Sequence, residues 1–297
     1  MLFSATTVIL PELDLQEACA VLQRLGYKGV ELRARRIPDQ ARGGTYSFWG
    51  NHKNDLTPER FLKEARSIRK LCDDHDLHLV GLAPMARADQ LDEIKLLADG
   101  AAEAQFCGPS GSVMVSRNPI TIRIGPPKGY DGSVSYPVLY QEAVDAYGKA
   151  LEITRERRVK MIVEIHCGTI MVSASLAYRI VSHFNPQEMG VIYDSQNMVM
   201  DGYETPKLAV ELLGPYLCHA HIGGRRPVPA GKDAQGTALW KWESCALGDG
   251  LLSMPTIFEA LKAVQFSGFC SLEDFRVGAA EAKLKEAMDY LKAIGVA

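Results

Sequence analysis

The chain of 297 residues has no C-x-x-C pair, and its seven cysteines (Cys19, Cys72, Cys107, Cys167, Cys218, Cys245 and Cys270) are scattered and odd in number. That pattern excludes a disulfide framework or a zinc finger and predicts free thiols in a reducing compartment, the cytoplasm. No apolar run approaches the ~20 residues of a membrane span. The opening MLFSATTVILPELD lacks a basic n-region and an A-x-A cleavage site, so it reads as a first strand and not as a signal peptide. An excess of charge is missing too. A net charge of −3 gives no electrostatic reason to expect nucleic acid or an anionic membrane as partner. No G-x-G-x-x-G follows the first strand and no G-x-x-x-x-G-K-[ST] occurs anywhere, which removes the common nucleotide-binding signatures. A Pro- or Gly-rich linker is also absent, so residues 1–297 are expected to form a single domain.

What is present is alternation. Short β-branched or apolar runs at 3–10, 29–34, 77–82, 120–125, 160–165, 189–194, 217–222 and 268–273 predict strands. Between them lie segments of helical period, such as Leu15, Ala18, Cys19, Leu22 and Leu25, or the stretch opened by Thr57 and Pro58 as N-cap and first helical residue. Further helices are expected near 136–157, 173–183, 205–213, 254–265 and 280–293. Eight such repeats predict an α/β fold, a (β/α)8 TIM barrel. Two long loops, about 35–56 and 223–252, follow the second and seventh strands. Loops at the carboxyl ends of barrel strands are where active sites are built.

Four successive strands end in chemistry. The fifth ends at Glu164, the sixth at Asp194, the seventh reaches His221 and the eighth ends at Glu273. In a closed barrel these ends converge, and three carboxylates that converge without a cation repel one another. Acidic residues do end strands as helix caps or partners of Arg, but four in this order point to one divalent metal. Three oxygen donors and one nitrogen suit Mn²⁺ best, with Mg²⁺, Co²⁺ or Zn²⁺ as alternatives.

The stretches VEIHCGT, GVIYDSQNMVMDGYE, LLGPYLCHAHIGG and GFCSLEDF resemble the xylose isomerase-like barrels of the sugar phosphate isomerase/epimerase superfamily. The resemblance implies that Glu164, Asp194, His221 and Glu273 bind one divalent ion, usually Mn²⁺, which grips adjacent oxygens of a sugar. It also has departures. The glutamate that ketose 3-epimerases carry six residues after the first ligand is Ile170 here, the histidine three after the aspartate is Asn197, and the arginine six past the metal histidine is Pro227. The E-x-H of Glu164 and His166, with SFWGNH in the second loop, resembles the large subunit of C-glycoside deglycosidases. That implies deprotonation of a 3-oxo-glycoside at C2 by His166, loss of the aglycone, and a small β subunit as partner, with a homo-oligomer as the other arrangement. A keto-sugar isomerase or epimerase on the same metal is the competing reading.

Other residues are expected around a sugar or glycoside substrate: Arg35, which alternation favours over Arg36, together with Trp49, His52, Arg123, Asn197 and Trp240. Four of them have plainer alternatives. Arg123 would pair with a nearby carboxylate, the tryptophans would pin their own loops, and His52 would be solvated. His219, two residues before His221, is expected to sit inside the barrel one layer below the metal, with a fifth ligand as its other reading. Met198 and Met200 read as packing.

Overall fold

The computed structural model describes residues 1–105 and 119–297, so Cys107 lies outside the described residues. Strands β1 (Leu2–Thr6), β2 (Gly29–Leu32), β3 (His78–Leu82), β4 (Thr121–Ile124), β5 (Lys160–Glu164), β6 (Met189–Asp194) and β7 (Leu217–Ile222) follow one another around a parallel sheet. After β7 comes an antiparallel hairpin of β8 (Gly224–Lys232) and β9 (Ala238–Cys245). The last barrel strand, β10 (Phe269–Leu272), pairs with β7 on one side and β1 on the other, closing an eight-stranded barrel. Helices α1 (Leu15–Leu25), α2 (Pro58–Asp74), α3 (Leu91–Gln105), α4 (Tyr136–Glu156), α5 (Ala174–Val181), α6 (Ser195–Asp201), α7 (Pro206–Leu213), α8 (Met254–Ala263) and α9 (Ala280–Ala293) lie between or after the strands. The expected (β/α)8 barrel is what the chain forms. No described helix is long and apolar enough to cross a membrane.

Local chemistry sets the elements. Asp14 caps α1 with a capping box, its side chain accepting from Glu17 N while Glu17 reaches back to Asp14 N at 2.8 Å. Thr57 caps α2 and Pro58 opens it, as the sequence predicts. Because each strand is buried on both faces, alternation separates two interiors. Val30, Leu32, Ile122, Ile124, Val163 and Val191 join the core shared with the helices. Each such side chain contributes about 1.5–3 kcal/mol by leaving water. The opposite parity points into the barrel and is partly polar: Ser4, Glu31, Arg123, Glu164, Asp194, His219, His221 and Ser271 are all buried.

Three expectations change. The first strand, expected over 3–10, stops at Thr6, whose hydroxyl accepts from Val8 N and starts a 3-10 turn at Thr7–Ile9. The short helix α6 was not expected; the Asp194 carboxylate caps it by accepting from Asn197 N at 2.8 Å. The second long loop is largely the β8–β9 hairpin. Pro227 and Pro229 argue against a strand in sequence, yet a two-stranded ribbon has an open edge on which a missing N–H costs nothing.

Candidate metal centre

Glu164, Asp194 and His221 stand at the carboxyl ends of β5, β6 and β7, and Glu273 follows β10 directly. One donor atom from each of the four lies within 4.8 Å of the others, and all four residues are buried. His221 Nδ1 is 2.7 Å from Glu164 Oε1, 3.4 Å from Glu273 Oε1 and 3.6 Å from Asp194 Oδ2. The four residues named in sequence are therefore brought together.

Glu31, on β2, was missed. Its Oε2 lies 3.1 Å from His221 Nε2, so Nε2–H donates to it and Nδ1 faces the three carboxylates; the protonated imidazole donates from Nδ1 to Glu164 Oε1 at 2.7 Å, and an ion would take the place of that proton. His219 Nε2 is 3.6 Å from the same oxygen and makes no hydrogen bond. It is buried in the barrel interior, and with Glu31 and His221 it forms a second group whose donor atoms lie within 4.8 Å of one another. Arg123, on β4, donates from Nη1 to Glu164 Oε2 at 2.9 Å and lies 3.8 Å from Glu273 Oε1, so it takes the ion-pair role.

The protonation pattern expresses an excess of buried carboxylate. Burial opposes ionisation of Glu164, but Arg123 and His221 outweigh it and hold this carboxyl well below the usual range. Burial pushes Glu273 up to about 8, with the nearby Glu164 charge adding to it and His221 opposing. Burial likewise raises Asp194. Burial also disfavours His221 as a cation, yet Glu273, Glu31 and Glu164 hold it well above the ordinary imidazole value. Glu273 Oε1 is buried with no hydrogen-bond partner. Three carboxylates, one correctly turned imidazole and an orphaned carboxylate oxygen fit a divalent cation with oxygen and nitrogen donors.

Above the cluster a cavity of about 350 Å³ opens, lined among others by Arg123, Glu164, His166, Cys167, Asn197 and Glu273. His166 Nδ1 donates to the Cys167 carbonyl at 2.8 Å, and no described residue bonds Nε2. Interaction with Cys167, against the effect of burial and helped by the Glu164 charge, pushes His166 up to about 9. Asn197 is bound to the cluster itself. Its Nδ2 donates to Asp194 Oδ2 at 2.8 Å, and its Oδ1 accepts from Cys167 Sγ at 3.1 Å. Trp49 lines the cavity and stacks on Phe275, ring centroids 5.6 Å apart, so it also pins its loop. Met85, on the same lining, holds a left-handed backbone with φ 62°, strain of the kind stored at functional sites.

The remaining expectations fall outside the lining. His52 is not solvated: it is buried with Nε2 3.1 Å from the Phe48 carbonyl, and burial beside Arg33 lowers it to about 4. Trp240 stands on β9 and is 61% exposed. Arg35 is half-buried; burial lowers it, the Glu93 carboxylate opposes that, and the Arg123 charge adds to it. A larger cavity, about 540 Å³, opens where the strands begin, but none of the three clustered carboxylates lines it. Chemistry, not size, marks the site.

The profile of the xylose isomerase-like TIM barrel family matches residues 19–294, and the chain belongs to that family. Among solved structures it is similar to the probable 3-DHS dehydratase AsbF from Bacillus anthracis, involved in petrobactin synthesis, with a TM-score of 0.71 and 14% identity over 98% of this chain and 99% of that one. It is similar to the 3-keto-D-glucoside 4-epimerase YcjR from E. coli, TM-score 0.68 and 12% identity over 99% of each chain. It also resembles the IOLI protein, solved with a bound zinc atom, TM-score 0.68 and 17% identity over 100% of this chain and 97% of that one. No protein of curated function matches it in sequence.

Proposed function

We propose that this chain is a divalent-metal-dependent lyase that acts on a 3-oxo-glycoside. Glu164, Asp194, His221 and Glu273 would hold the ion, with Mn²⁺ the best match to their donors. A bound ion would supply a Lewis acid for the carbonyl oxygen on which negative charge builds. His166 Nε2, open to the cavity and two residues from Glu164, carries the reading: in its neutral form, reached as pH climbs towards about 9 and favoured once an ion would offset the Glu164 charge, it is placed to take the proton from C2, α to the ketone. The Cys167 carbonyl fixes the imidazole by accepting from Nδ1, so Nε2 is the basic nitrogen. The electron pair left at C2 forms a C1–C2 double bond as the C1–aglycone bond breaks; the aglycone leaves with that bond's pair and takes a proton from water.

A keto-sugar isomerase or epimerase is the second reading, supported by the likeness to a 3-keto-D-glucoside 4-epimerase. It needs a second proton-transfer group facing His166 across the substrate, and the positions of Ile170 and Asn197 supply none. Proton NMR in D₂O with the Mn²⁺-reconstituted protein tests both, the manganese being removed before recording. Free aglycone with loss of the C2 proton signal, and deuterium at C2 only in recovered substrate, supports the lyase; exchange with a new epimer and no release supports the epimerase. His166→Ala should keep ion binding and fold but abolish exchange, and unchanged exchange would remove His166 from the mechanism.

A further inference from the structure

Several guanidinium nitrogens at the mouth of the barrel lack acceptors. Arg24, Arg36, Arg42, Arg60, Arg69 and Arg276, elsewhere on the molecule, all make ion pairs. Arg225 makes none with a described residue, and its Nε is buried without a hydrogen bond. It lines the 350 Å³ cavity together with Ser244, its cross-strand neighbour on β9. Arg123 lines the same cavity, and its Nη2 is likewise buried and unpartnered. Arg35 and the fully buried Arg33 do not line the cavity, though Arg123 acts on Arg35 and Arg35 on Arg33 by charge; Arg33 Nη2 donates to the Gly50 carbonyl at 3.1 Å while its Nε and Nη1 bond nothing. Asp55, the carboxylate whose charge acts on Arg33, accepts at Oδ2 from Arg42 Nη1 at 2.9 Å.

Arg225 is held in place by its surroundings. It follows His221 by four residues, across Gly223 and Gly224. A Cβ on Gly223 would collide with Gln196 and the Glu273 carbonyl, and one on Gly224 with the Cys245 and Ala246 carbonyls. Leu251 N donates to the Arg225 carbonyl at 2.7 Å. The guanidinium is thus carried on a backbone packed against the metal cluster.

Charge decides what such a cavity takes. Of the charged side chains that line it, Glu164 and Glu273 are committed to the cluster, while Arg225 Nε and Arg123 Nη2 are buried with nothing to donate to. Buried donors without acceptors are costly unless something arrives to accept from them. We infer that the substrate carries an anionic oxygen group, a carboxylate or a phosphate, gripped by Arg225 with Arg123 facing it, so that the chain acts on an acidic sugar or glycoside.

This rests on the cavity being the substrate site, and deepens the proposed reading by naming the substrate class. The test is calorimetry on the Mn²⁺-loaded protein with D-glucuronate, D-glucose 6-phosphate and D-glucose. One or both anions should bind about ten-fold or more tightly than glucose, the margin of a charge-assisted hydrogen bond. The anion that does so identifies carboxylate or phosphate. Arg225→Gln, with its metal content verified, should remove that margin, and Arg225→Lys should restore part of it. Equal binding of all three sugars overturns the inference, as does a margin that survives Arg225→Gln, since the anion would then sit on the ion. Exchange of a neutral 3-oxo-glycoside in D₂O without any anion preference would leave the proposed chemistry standing and this inference lost. Arg225-dependent anion binding with no exchange of any 3-oxo sugar would do the reverse.

Discussion

At the scale of single residues, the centre is held by contacts that the four strand-end residues do not themselves announce. Glu31 is the clearest case. By accepting from His221 Nε2 it fixes which imidazole nitrogen faces the carboxylates. Glu31→Ala should lower Mn²⁺ affinity by about 10–100-fold, the usual cost of losing such a partner, while Glu31→Gln, which keeps an acceptor, should lose less. Competition with a fluorescent chelator would measure both, and equal affinities for all three proteins would dismiss the role. Glu31 was legible in principle. The alternation that selects Arg35 over Arg36 runs back through Arg33 to Glu31, since every second residue faces inward. Read in sequence, LRARRI looks like a charged loop start, and nothing local shows that Arg33 is fully buried. His52 is the converse: a histidine in a polar loop gives no sign that the loop folds over it.

At the scale of elements, the hairpin is the part that sequence conceals and the site depends on. Boundaries of the barrel strands follow from hydrophobic runs that a closed parallel sheet requires, and β6 and β7 fall on the residues expected. The hairpin has no such requirement. Its residues are mostly exposed, it carries two prolines, and its position is set by glycines whose meaning lies in contacts far along the chain. Gly223 packs against Gln196, whose Nε2 donates to the Glu273 carbonyl at 3.0 Å. Gly223→Ala should therefore lift the hairpin or displace Gln196, costing about 1–3 kcal/mol of stability as overpacking does. Urea denaturation would give that cost, and limited proteolysis should show faster cleavage in β8–β9. Wild-type stability with an unchanged digestion pattern would show the contact to be slack.

At the scale of the whole molecule, ion binding, protons and folding share one equilibrium. Glu273 is raised from 4.5 to about 8 in the folded protein. The folded state then holds a proton that the unfolded chain has released, so stability is complete below the unfolded value and is lost as pH climbs through about 8. His221, also raised, acts in the same direction. Binding of a divalent ion displaces these protons, so affinity should rise with pH across the same interval. The melting temperature of chelator-treated protein should fall as pH rises from 4.5 towards 8. Mn²⁺ at about 100-fold over its Kd should add roughly 2.7 kcal/mol. A melting temperature independent of both pH and Mn²⁺ would rule out a coupled cluster.

The clustered carboxylates below and the guanidiniums above also tie the two ligands together through protons. Without the ion, Glu273, raised to about 8, and His221, also raised, keep protons that stand in for part of the missing positive charge. An anion approaching Arg225 then meets a cationic mouth in both forms below about pH 8, and the ion-free form loses that pull as pH climbs through this value. Dependence of acidic-substrate capture on the ion should therefore emerge on the alkaline side, where salt should slow association with the loaded form more than with the ion-free one.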